Sequence, residues 1–238
     1  MKSRISLIVS LCVAVFSSFM LVYFSFEGYC GIGFDLIVTQ TIFNAVLFVL
    51  LSVVLSSRED CLFFDNNLIK LSRIASRRKS LFYELKKVAA VVFLFTFIES
   101  VCVLLFSVII GKNYSVKNII IMFLFSFFVK LFFMILQFYL ELRSRYKISF
   151  MIVSVLFLAM LIAGNALYSY CLEYPDTALA DVFEILNKVN VANYVSYARV
   201  IVLWNKIVIP LMIIILLIII EIVYIVIRIK KLDILSKE

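Results

Sequence analysis

The chain alternates long apolar runs with short polar segments, and the length of the runs carries the first inference. Six of them, at about residues 5–25, 37–56, 88–110, 118–140, 148–170 and 207–228, are long enough to cross a hydrocarbon core of about 30 Å, which takes about 20 helical residues. Each is predicted to be a transmembrane helix. The first run follows MKSR. It exceeds the apolar core of a secretory signal, lacks an A-x-A-like cleavage site and precedes five further runs, so it is expected to remain as a signal anchor.

Two connecting segments are too long for simple turns. Residues 57–87 place Phe64, Leu68, Leu71 and Ile74 near helical spacing, with Lys70, Arg73, Arg77 and Arg78 mostly off that stripe. This predicts an amphipathic helix lying in the membrane interface, followed by a basic turn into the third span. Residues 171–206 open with CLEYPD and continue through two partly apolar stretches, 178–186 and 191–204, separated by polar NKVN. Neither stretch is long enough to span, so two short helices dipping into the outer leaflet are expected.

Composition agrees with this all-α, polytopic reading. Apolar residues make up 65% of the chain and the mean hydropathy is +1.15, against about 45–50% apolar in a soluble domain. Only five Gly and two Pro interrupt the chain, while 24 Phe and long Ile, Leu and Val runs favour continuous helices. The 238 residues leave room for a single membrane domain, 1–238, and no separate soluble domain of ordinary size.

Charge then gives orientation. The net charge of +8 does not point to nucleic acid, because the cations lie almost wholly between the apolar runs, where membrane proteins keep cytoplasmic Lys and Arg. With the N-terminus inside, seventeen of the 23 Lys and Arg fall on cytoplasmic segments, eight of them in 57–87. Only Lys112, Lys117, Lys188, Arg199 and Lys206 fall outside, beside six acids. Both termini are expected in the cytoplasm.

Few residues carry candidate chemistry. There is no His, and the five cysteines show no metal spacing, so no metal or other cofactor of its own is expected. No G-x-x-x-x-G-K-[ST] occurs, and the glycines of FEGYCGIGFD read as a turn. Paired acids or a nucleophile with its base are absent, so the chain is not expected to be an enzyme. Cys30 and Cys171 both fall outside, which allows a disulfide without requiring one. Trp204, Tyr194 and Tyr197 suit an aromatic anchor at the outer interface.

Three ionisable residues lie within the runs, where a central charge costs several kcal/mol. Glu99 and Lys130 are expected at similar depth on consecutive antiparallel helices, where pairing offsets part of each desolvation. Such a pair either locks two helices together or belongs to a substrate or proton pathway. Glu221 lies two turns before Arg228 and is expected to snorkel toward the cytoplasmic face.

This order of parts resembles the permease subunits of type-two ABC exporters. The stretch IASRRKSLFYELKKVAAVVFLF, residues 74–95, is similar to the basic lead into the third span of small bacterial permeases that accompany ATPases in peptide export and bacteriocin immunity. The resemblance implies a separate ATP-binding-cassette subunit that binds the ATP, and a second copy or sister permease. It also implies a docking segment at 72–83, with Arg73, Arg77, Arg78, Lys79, Phe82 and Tyr83 as contacts, in the bacterial cytoplasmic membrane. The competing expectation is a non-transporting immunity or sensor-like protein whose basic inner face binds a partner or anionic lipid.

Overall fold

A helix covers most of each apolar run. The computed structural model describes residues 2–23, 38–56, 77–111, 116–142, 146–195, 200, 203–204 and 206–228, and among them every regular element is helical. These are α1 (Lys2–Tyr23), α2 (Val38–Ser56), α3 (Arg77–Ile110), α4 (Val116–Glu141), α5 (Tyr146–Glu173), α6 (Ala178–Val189), a 3₁₀ turn (Val191–Val195) and α7 (Val208–Arg228). Four stretches, Lys79–Ile110, Val116–Glu141, Ile148–Glu173 and Val208–Arg228, are long and apolar enough to cross a membrane. Helices α1 and α2 contribute the shorter apolar stretches Leu11–Met20 and Asn44–Val53. The chain thus reads as a helical membrane protein.

The helix ends follow local chemistry. Gly111 closes α3 at φ 78, and its N–H meets the Val108 carbonyl at 3.2 Å; a left-handed residue at this point favours glycine. Thr177 caps α6, its hydroxyl oxygen accepting from the Ala180 N–H at 3.2 Å. Asp181 in the first turn and Lys188 in the last complement the dipole of that helix. Pro210 sits in the first turn of α7, where its missing N–H costs little.

Side-chain contacts fix the directions. Phe48 and Ser52 of α2 meet Phe133 and Gln137 of α4, so these two helices run parallel. Phe93 of α3 packs on Phe127 of α4, while Val103 clusters with Ile119 and Met122, so α3 and α4 run antiparallel. Tyr139 and Tyr224 bring the C-terminal ends of α4 and α7 together. One end of the bundle therefore carries Lys79, Lys86, Lys87 and Arg228, and is called the basic end below; α6 lies at the other.

Helices α1, α2, α5, α4 and α3 form a closed circuit of neighbours, with α7 packed on α4. In α4, 56% of the most apolar window is buried, against 22% in α5 and in α7, which marks α4 as the central post. Phe48 stacks on Phe157 with centroids 3.9 Å apart, and Phe133 meets both rings edge-on. Each such pair adds about 0.5–1.5 kcal/mol beyond its burial. The surface is apolar: Leu94, Phe97, Leu105 and Val108 of α3 and Met151, Val155 and Ile162 of α5 are exposed. Polar side chains instead point inward, among them Asn44, Ser52, Glu99, Lys130 and Gln137. That inversion is what lipid as solvent requires.

Three expectations change. Residues 77–87 are not a turn: they are the first turns of α3, continuous with the span, because RRKSLFYELKK holds good helix formers and neither Gly nor Pro. The interfacial helix expected before it lies outside the described residues. At the far end, the first short helix is present as Ala178–Val189, whereas the second begins as a five-residue 3₁₀ turn. Tyr194 is not an interfacial anchor: it is 1% exposed, packs on Phe125, and its hydroxyl donates to the Lys188 carbonyl at 2.6 Å. Trp204 is half-buried, with the Lys188 ammonium 5.9 Å from its ring, and Tyr197 lies outside the described residues.

Candidate intramembrane polar site

The polar residues of α3 and α4 fall where helical periodicity aims them at one another. On α3, Phe93, Thr96, Ser100 and Ser107 are spaced i, i+3, i+7 and i+14, so they share one face, and Phe93 shows what that face meets: Phe123 and Phe127 of α4. On α4, Phe123, Ser126, Lys130, Gln137 and Glu141 form the corresponding stripe. The structure brings Glu99 and Lys130 together across this contact, the Lys130 ammonium donating to Glu99 Oε2. Only 2% of Lys130 and 4% of Glu99 are exposed. The ammonium also lies 5.9 Å from the Phe95 ring, a cation–π contact that needs no further desolvation. Lys130 lies 14 residues into α4, about 20 Å along its axis, so the pair sits near the middle of a helix long enough to cross a membrane.

Around the pair are buried hydroxyls of a distinctive kind. Thr96, Ser100 and Ser126 are 0%, 7% and 3% exposed, and the hydroxyl oxygen of each meets no hydrogen-bond partner. Ser18 and Ser107, by contrast, bond back to the preceding turn, to Ala14 at 2.8 Å and to Leu104 at 2.7 Å, while on α5 the Ser154 hydroxyl is likewise unpartnered.

Nearer the basic end, Ser52 donates to Gln137 Oε1, and Gln137 Nε2 donates to Glu141 Oε1 at 2.9 Å. This bridge ties α2 to α4. Glu84 is fully buried, with Oε1 3.3 Å from the Lys87 ammonium and Oε2 unpartnered. Glu221 does not snorkel: its Oε2 is buried without a partner, and Arg228 stacks on Tyr224 at 5.3 Å. Burial of α7 against α4 holds Glu221 on the inner side of its helix, beside buried Ile218 and Ile225.

The docking candidates divide by what the structure describes. Arg73 lies outside the described residues, and Arg77 and Arg78 are described as the backbone start of α3. Lys79, Phe82 and Tyr83 are exposed at the basic end, and Lys87 sits 4.5 Å over the Tyr83 ring. Two large apolar side chains beside lysines give this end both a charged and a stacking surface.

A second polar knot holds α6 against α5. Asn190 Nδ2 donates to the Met160 carbonyl at 2.7 Å, and Asn193 Nδ2 donates to the Asn187 carbonyl at 3.2 Å. Asn187 and Asn193 are 0% and 1% exposed. A Cβ on Gly164 would lie 1.9 Å from Asn193 Oδ1, so only glycine lets the amide come this close to α5. The charge-led reading missed this knot and the Ser52–Gln137 bridge, because their groups are neutral; an isolated Gln or Asn in an apolar run is the signal that finds them.

Cys171 is a free thiol with Sγ 3.5 Å from the Ala180 carbonyl, and Cys30 lies outside the described residues. Among the described residues no group of three or more His, Cys, Asp or Glu is placed to hold a metal ion. Comparison of the chain with protein-family models, with curated proteins and with solved structures gave no match in any of the three.

Proposed function

We propose that the chain is the membrane-spanning subunit of an ATP-driven ABC exporter in a bacterial cytoplasmic membrane. In this reading it crosses the bilayer six times with both termini inside and pairs with a second copy or a sister permease. It forms the path for a peptide, lipid-like or hydrophobic substrate, and takes its energy from a separate ATPase subunit docked on residues 72–83. The chain itself performs no nucleotide chemistry.

The observation that supports it most is the length of α3. Its 34 residues extend about 51 Å, well beyond a hydrocarbon core of about 30 Å, so the surplus projects the basic turns Arg77–Lys87 past the membrane on a rigid extension of the span. The same helix carries Glu99. A displacement applied to the basic end is therefore delivered, without an intervening hinge, to the buried ion pair that joins α3 to α4. Exposed Phe82 and Tyr83 supply apolar contact area for a protein partner at the driven end, which a purely lipid-binding basic patch does not need.

Gentle purification from its own cells tests the reading. An ATPase is expected to co-isolate in about stoichiometric amount, and charge reversal at Arg77 and Arg78 is expected to release it while the chain stays monodisperse. Recovery of the chain alone, with affinity for anionic vesicles abolished by the same reversal, would instead show a lipid-binding face and refute the proposal.

A further inference from the structure

The contact between α3 and α4 contains more hydrogen-bonding capacity than the protein itself satisfies. Thr96, Ser100 and Ser126 each present a buried hydroxyl with no partner. The Lys130 ammonium carries three donors, and it is met by one Glu99 oxygen and the face of Phe95. These groups lie at matching levels along the two helices. The pairs Phe93 with Phe127 and Glu99 with Lys130 set residue-number sums of 220 and 229 across the antiparallel contact. Thr96 opposite Lys130 and Ser100 opposite Ser126 both sum to 226, within that range.

We propose that this is a hydrated site: Thr96, Ser100, Ser126 and Lys130 bind one or two ordered water molecules that solvate the Glu99–Lys130 pair inside the bilayer. Three observations carry it. First, residues four apart on a helix hold their Cβ atoms about 5–6 Å from each other, and packed helices lie about 8–10 Å axis to axis. Groups at matching levels on such helices stand within the reach of one bridging water, and the three hydroxyls make no direct hydrogen bond to one another. Second, a buried water takes about three partners, and three unpartnered hydroxyls together with the spare donors of Lys130 supply that number at this level of the two helices. Third, the hydroxyls forgo the bond to the preceding turn that Ser18 and Ser107 make, so their lone pairs and protons stay free for a guest.

The guest changes what the ion pair can do. A dry pair in lipid is locked, because separating its charges exposes each to a medium that cannot solvate it. With water held by three hydroxyls, the ammonium has a second set of partners already in place. Lys130 can then leave Glu99 when α3 shifts along α4, and return. The inference concerns the site alone and stands whether or not the chain is a transporter.

The experiment combines a direct readout with a stability cycle on the full chain. In water-edited solid-state NMR of the protein in lipid, magnetisation is expected to pass from water to the Thr96 methyl and the Lys130 ammonium as quickly as to residues at the membrane surface. No transfer at either group overturns the proposal. In parallel, Thr96→Val, Ser100→Ala and Ser126→Ala are combined. If water bridges these hydroxyls to the pair, the triple variant lowers the apparent unfolding midpoint by several degrees in the native background. It leaves the midpoint unchanged or higher when Glu99→Leu and Lys130→Met have removed the pair. If the site is dry, the triple variant removes three unsatisfied groups and raises the midpoint in both backgrounds, which refutes the idea. Should the triple variant fail to fold, the NMR measurement on the native chain decides by itself.

Discussion

Replacing Lys130 by Met tests the energetic logic of the bundle at its centre. Lys130 and Glu99 are 2% and 4% exposed and meet each other across α3 and α4. Met fills much the same volume as the lysine stem without its charge, so packing is nearly conserved. What changes is that Glu99 keeps its place beside apolar Phe95 and Val103 with no cation opposite. Breaking a buried pair in this way costs about 3–5 kcal/mol, a drop of about two to three and a half orders of magnitude in the folded-to-unfolded ratio. Glu99→Leu alone is expected to cost about the same. The double variant leaves no unpaired charge, and neutral replacements of buried pairs are often neutral or better, so it should return to within about 1 kcal/mol of the native chain. The assay is unfolding by increasing SDS in mixed micelles, followed by helical circular dichroism and by Trp204 fluorescence, run on all four members of the cycle. Costs that simply add, leaving the double variant as weak as the two single losses together, would refute the pairing energetics.

Other sites give separate tests. Gly164→Ala places a methyl carbon 1.9 Å from Asn193 Oδ1 and should cost about 1–3 kcal/mol, read as a lower thermal midpoint and faster proteolysis near α6, with partial recovery on adding Asn193→Ala. Gln137→Leu removes the amide that bonds both the Ser52 hydroxyl and the Glu141 carboxylate and should cost about 1–3 kcal/mol in the same unfolding assay, whereas pairing it with Ser52→Ala should recover part of the loss. Phe48→Ala removes the ring shared by Phe133 and Phe157 and should cost about 3–5 kcal/mol, with a cavity detectable by xenon binding. Burial pushes the Tyr194 hydroxyl up to about 12 from its ordinary value of 10. The folded state thus holds that proton more tightly than the unfolded chain, so its stability is unaffected below pH 10 and falls between pH 10 and 12. Tyr194→Phe should remove that part of the alkaline decline in a pH series of thermal midpoints.

The class of this protein was legible in its sequence because lipid imposes a one-dimensional rule. Any segment in the hydrocarbon must satisfy its own backbone and present apolar side chains for about 20 residues, and both requirements are written locally. The same rule made Glu99 and Lys130 conspicuous: in a run such as FLFTFIESVCVLLF, a single acid has no cheap solution except a partner at equal depth. Helix continuity was less legible. The cluster RRKS reads as a break by charge, yet nothing in its backbone chemistry interrupts a helix, and α3 includes it and continues into the apolar run.

Tertiary structure decided everything that depends on which faces meet. Seryl, threonyl and amide side chains are tolerated in either lipid-facing or buried positions, so their spacing alone did not mark the hydroxyls of Thr96, Ser100 and Ser126 as buried without a partner, or tie Ser52 to Gln137. Nor did Tyr194 announce that its ring would leave the interface for the core beside Phe125. Those outcomes follow from the packing of α3 and α2 on the central α4 and of α6 on α5. They are set by contacts between residues 30 to 85 positions apart, whose complementarity no local pattern encodes. Sequence alone determined that the chain must be helical, apolar outside and charged at its ends. The fold determined where the polar interior lies and what it leaves unsatisfied, because desolvation is decided by neighbours in space.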